Sequence, residues 1–178
     1  MKNRILKSSV AVILVAAMAI SGCSTAWIDV ALKDLPVVVQ IVSSILAIAD
    51  VSAVPQAQAA GGEAQRDLQL LNAAIADYRA AQTAQAQANA LTAMQNALSA
   101  ANGHLNDILT AVHVKDPAKQ AAISAGVGVA LSVLVSIQAL LPSNAPKVAH
   151  AVKLPNHKEV KRQFNSAMAG AYPGAVLR

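Results

Sequence analysis

Few residues in this chain carry the chemistry an enzyme needs, and their spacing is uninformative. Four histidines occur: His104, His113, His150 and His157. No two of them have the i, i+4 spacing that puts two imidazoles on one helical face for a metal. The chain has nine carboxylates, and none pair at i, i+3 or i+4 within an apolar setting. Gly126-Val127-Gly128 lies inside a helix-like run and lacks the strand and turn of a phosphate-cradling loop. No serine or threonine sits in a nucleophile motif. These patterns predict no catalytic residues, no metal and no cofactor. One cationic cluster stands out. Lys158, Lys161 and Arg162 lie on the polar side of a short amphipathic segment whose other side is Val160, Phe164 and Met168. Such a basic face suits anionic lipid or an acidic envelope partner.

The single cysteine is the most informative residue. With one Cys, no intramolecular disulfide can form. Cys23 ends the run Ile20-Ser21-Gly22-Cys23, which follows an uncharged apolar stretch from Val10 to Ile20 and a positive start at Lys2, Arg4 and Lys7. An apolar stretch of that length suits a signal peptide and is too short to span a bilayer comfortably. The whole arrangement resembles the lipobox of bacterial lipoproteins, with Ile20 in place of the commoner Leu; the resemblance covers residues 1–24 only. It implies cleavage before Cys23 and diacylation of its thiol, usually with acylation of the new amino terminus. Palmitate and related chains would then be the one covalent addition. Two or three such chains hold firmly, at about 0.8 kcal/mol per buried CH₂. Ser24 follows the cysteine. In the lipoproteins of two-membrane bacteria Asp there tends to retain the protein at the inner membrane; Ser is permissive, so the resemblance points to the outer membrane.

The elements that carry these residues read as helices. Hydrophobic residues make up 55% of the 178, aromatic residues 2%, and 40 residues are alanine. That composition disfavours a β-sandwich or barrel and also a base-stacking platform, so no nucleic-acid partner is expected. The formal charge of +5 is uneven: residues 23–116 hold four basic and eight acidic residues, whereas residues 117–178 hold seven basic and one acidic.

Trp27 to about Asp50 is predicted as a helix with a narrow polar stripe at Asp29, Lys33, Gln40 and Ser43/Ser44. Pro36 would kink it or restart it, and Val37-Val38-Val39 admits a short strand. The segment is either a core helix, the preferred reading, or one lying at the membrane with Trp27 at the interface. Val51 to Gly62 reads as a linker. Glu63 to about Val112 reads as one long helix, about 75 Å if continuous. Asn102-Gly103 is its expected point of bending or folding back. In its second half Leu91, Met94, Leu98, Ala101, Leu105, Ile108 and Val112 step by three and four. Asp116-Pro117 should start the next helix, which stays uncharged from Gln120 to Leu141 and stops at Pro142. Its small residues Ser124, Gly128, Ser132 and Ser136 form a stripe that would let another helix approach. A core helix is preferred here, with a membrane span as the alternative. A second linker leads to a final helix, Asn156 to about Gly170, opened by Asn156 and Glu159.

The expected architecture is all-α: an elongated bundle or hairpin with one long central helix and a short C-terminal helix. Its divisions are a cleaved signal peptide (1–22), a helical body anchored by Cys23 (23–141) and a linker with a basic helix (142–178). The expected function is a non-catalytic cell-envelope lipoprotein acting as a structural or interaction module. The alternative is a membrane-active, pore-forming protein inserting segments 35–50 and 120–141. Oligomeric state is open.

Overall fold

A computed structural model describes residues 26–49, 55–112, 114–142, 155–169 and 172–177. Cys23, Ser24, the lipobox run, His113, His150 and all of residues 143–154 lie outside the described residues. Within them the chain is all-α. It forms α1 (Ala26–Ile48), α2 (Pro55–Ala80), α3 (Ala84–Ala111), α4 (Pro117–Leu140) and α5 (His157–Ala169), followed by a 3₁₀ turn at Pro173–Ala175.

Helices α1 to α4 form an up-down-up-down bundle. Each packs on its neighbours in the order α1, α2, α3, α4 and back to α1, while α5 covers the seam between α1 and α4. The antiparallel sense of α1 and α2 shows in two ties across them: Arg79 to Asp29 at 2.8 Å and Gln65 to Ser43 at 3.0 Å.

The stretch expected as one long helix is two. Residues 81–83 break it, and α2 folds back on α3. Thr83 caps the new helix, its Oγ1 accepting from the Ala86 amide at 3.1 Å, which satisfies one of the free amides at a helix start. Asn102-Gly103, the expected bend, runs uninterrupted inside α3. The physical reason lies in burial. A continuous 75 Å rod would leave two apolar faces far apart, and helices are stabilised mainly by packing such faces. Folding at the Ala/Gln stretch, where Gln82 to Asn89 are all exposed, sacrifices no buried side chain. It also lets Leu68, Leu71 and Ile75 share a core with Met94, Leu98, Leu105 and Ile108. The three-and-four spacing in α3 is otherwise as expected, with Leu91 half-buried and the rest buried.

Two further expectations change. The supposed linker 51–62 is helical from Pro55, which takes the first helical position that proline tolerates best. Its glycines do not break the helix: Gly61 lies where a Cβ would come within 2.5 Å of Leu46 side-chain carbons, so it permits close approach of α1. In α1 neither the strand nor a restart occurs; the helix continues through Pro36, which is exposed. There the Leu32 carbonyl loses its usual donor, because proline has no amide hydrogen.

The start of α4 is as expected. Asp116 accepts from the amides of Ala118 and Lys119 at 2.9 and 3.4 Å, and Pro117 is the first helical residue. The small stripe, however, does not receive a helix. Ser124, Gly128 and Ser132 face outward, and nothing lies within 4 Å of a Cβ placed on Gly128. Ser132 and Ser136 instead donate to the carbonyls of Val129 and Ser132. Close approach occurs one face away at Gly126, where a Cβ would lie 3.0 Å from Ile45 and 3.2 Å from Phe164.

Candidate functional site

Three polar features emerge from this frame. The first is the basic face of α5. Asn156 caps this helix, its Oδ1 accepting from the Glu159 amide at 3.0 Å. Val160, Phe164 and Met168 are fully buried against the seam of α1 and α4. Lys158 and Arg162 are exposed and Lys161 is half-buried. Arg162 is already engaged: its guanidinium donates to both Glu159 oxygens at 2.9 and 2.6 Å, and Gln163 adds a third bond to Glu159 at 3.1 Å. The bonds from Arg162, then that from Gln163, hold the Glu159 carboxyl below its usual range and raise Arg162 above its own. The face is thus basic in composition, and its Arg162 is tied to the helix's own acid.

The second feature is an Asp–His pair that no local spacing joins. His104 on α3 donates through Nδ1 to Oδ2 of Asp67 on α2 at 2.7 Å, and Asp67 is only 7% exposed. Thirty-seven residues separate the two, so only the α2–α3 fold brings them together. Such a pair orients an imidazole as a catalytic base would need. Nearby Asn102 buries its Oδ1 without a hydrogen-bond partner. Among the described residues no group of three or more His, Cys, Asp or Glu side chains is placed to hold a metal ion.

The third feature is Asp34. The polar stripe read from the sequence leaves it out. It occupies the apolar face of α1, on the line of Trp27, Ala31, Val38 and Ile41, and is completely buried. Neither carboxylate oxygen has a hydrogen-bond partner. Burial pushes its pKa up to about 6, because loss of water penalises the charged form. The available signal was an acid at a core-facing register position two residues before a proline.

At the end of the bundle nearest Cys23 in sequence, Trp27 is not presented outward. Its indole is 8% exposed and lies 6.5 Å from the Tyr78 ring, tilted by 43°. Among the described residues two helices qualify by length and composition to cross a membrane, Trp27–Ile48 and Pro117–Leu140. They pack on each other in the bundle, with 50% and 39% of their apolar windows buried. Compared with known proteins, the chain matches no family model, no curated protein and no solved structure.

Proposed function

We propose that this protein is a non-catalytic cell-envelope lipoprotein, tethered through lipid on Cys23, whose helical bundle serves as a structural or interaction module. One observation carries the reading. The chain's single cysteine ends a lipobox-like run, and Ala26, which belongs to α1, follows three residues later. Three residues reach at most roughly 11 Å. A lipidated Cys23 would therefore hold the first turn of α1 close against the bilayer, together with the α2–α3 turn that shares its end of the bundle. Ser24 favours the outer membrane in a two-membrane host. The partners are the membrane itself and an envelope protein or anionic lipid reached by Lys158, Lys161 and Arg162. The test is Cys23→Ser followed by cell fractionation and mass measurement. The wild type should carry acyl mass and sediment with the envelope, and the variant should lose both; an unchanged variant refutes the anchor.

A second reading draws on the two membrane-length helices. It makes the protein membrane-active, with residues 35–50 and 120–141 leaving the bundle to insert. Residues 24–178 added to dye-loaded anionic vesicles discriminate: rapid leakage favours insertion, and a monodisperse helical protein that leaves vesicles intact rejects it.

A further inference from the structure

Asp34 has no structural role that its burial explains. A buried carboxylate normally has a cation or several hydrogen-bond donors, and this one has neither. The pairings of Arg79 with Asp29 and Gln65 with Ser43 put Asp34 level with buried Ala74 and Ile75 of α2. On its own helix Asp29 and Lys33 are exposed. From α2, Asp77 and Arg79 are exposed, and Asp67 is held by His104. Helix α4 brings only Lys119, which lies over the Tyr172 ring at 5.9 Å. Helix α5 brings His157, Lys158, Glu159, Lys161 and Arg162. None of these groups is hydrogen-bonded to Asp34.

Two residues on, Pro36 removes one rung of the helix ladder. The segment Ala26–Leu35 is therefore coupled less tightly to the rest of α1 than one half of an ordinary helix would be. Its attachments to the bundle are apolar burial at Trp27, Ile28, Ala31 and Leu35, the half-buried Val30 and Leu32, the contact of Trp27 with Tyr78 and one exposed ion pair, Asp29–Arg79, of a kind that contributes little.

We propose that Asp34 makes this segment a proton-controlled latch: with the carboxyl protonated, Ala26–Leu35 stays seated on α2 and α4, and with the carboxylate ionised it lifts from the core about Pro36. The sign follows from linkage. A carboxyl whose folded pKa stands above its unfolded value binds its proton more tightly when seated. Seating is therefore strongest below the unfolded value of 3.8 and is weakened as pH rises through about 6. The separation between those values corresponds to roughly a hundredfold change in the ratio of lifted to seated segment. The inference does not depend on the anchor. With Cys23 lipidated, the moving segment would be the one adjoining the membrane.

Trp27 is the chain's only tryptophan and lies within the segment, so it reports the latch directly. The full-length chain, purified in mild detergent, is titrated from pH 4 to 8 while Trp27 quenching by iodide is followed. Amide exchange of residues 26–35, corrected for intrinsic pH dependence, is measured in parallel. The expected result is a rise of roughly tens-fold in the corrected exchange, with a parallel rise in quenching, and a midpoint near pH 6. The rise should be abolished in Asp34→Asn and Asp34→Leu and retained in His104→Gln. A flat wild-type profile overturns the proposal. So does a rise that survives both Asp34 substitutions or disappears in His104→Gln. Exchange of residues 26–35 in the wild type decides the matter even where a variant fails to fold.

Discussion

Helices α1 and α4 are the two most apolar elements of the bundle, similar in length at 23 and 24 residues, and they pack on each other. They are held in different ways. Helix α4 is delimited by local chemistry, with the Asp116 cap and Pro117 at one end and Pro142 beyond the other. Its buried face is entirely apolar, with Gly126 where Ile45 and Phe164 press closest. Its hydroxyl groups lie outside that buried face. Helix α1 has an interior proline and places an acid with no partner in the core. The difference teaches that equal hydrophobicity does not mean equal stability: α4 is consistent from sequence to packing, whereas α1 carries a local conflict that the rest of the bundle offsets.

That contrast can be broken or sharpened by substitution. The largest effect belongs to Asp34. Burial raises its pKa from 3.8 to about 6, and at 1.36 kcal/mol per unit the wild type should lose about 3 kcal/mol of stability between pH 3 and pH 7.5 relative to Asp34→Asn. Urea unfolding followed by circular dichroism at both pH values measures this; parallel losses in the two proteins would remove the asymmetry between the helices. Next comes Gly126→Val, which forces methyl groups against Ile45 and Phe164 and should cost about 1–3 kcal/mol by overpacking. A neutral result would mean that the α1–α4–α5 junction is loose. Asp116→Ala removes the cap of α4 and should cost about 1 kcal/mol, seen as a lower urea midpoint with an unchanged slope. The smallest effect is expected at Gly128. Nothing lies within 4 Å of its added Cβ, so Gly128→Ala should stabilise by about 0.5–1 kcal/mol through helix propensity alone. A destabilised Gly128→Ala variant would show that the outward face of α4 is occupied.

Much of the fold was legible where local signals and periodicity agree. The start of α4, the core series from Leu91 to Val112 and the docking face Val160, Phe164 and Met168 were all readable. The break at residues 81–83 was not, because Ala and Gln are good helix formers and Thr83 is an unremarkable N-cap until a helix begins behind it. The helical start at Pro55 was obscured by Gly61-Gly62, which normally signals a loop. Here Gly61 is needed for the approach of Leu46. The small stripe of α4 misled for a related reason. Ser124, Gly128 and Ser132 have the spacing of a contact face, but the bulkier face bearing Ile123, Val127 and Leu134 buries more apolar area and takes the core. Of the polar features, the basic face of α5 is legible from residue spacing. The engagement of Arg162 by Glu159 follows the i, i+3 rule. The pairing of His104 with Asp67 could not be read, since nothing local relates residues 37 apart.

The sequence by itself determined that the described chain is helical, where α4 begins and ends, and which face of α3 and of α5 is apolar. These depend on propensity, capping and periodicity, which act within a few turns of one helix. The tertiary structure alone decided that residues 55–111 form a hairpin, that the small stripe of α4 faces outward and that Asp34 is enclosed without a partner. Each of those outcomes is a competition for buried apolar area among helices distant in sequence. Where that gain exceeds the cost of one turn or one buried carboxyl, local preference gives way.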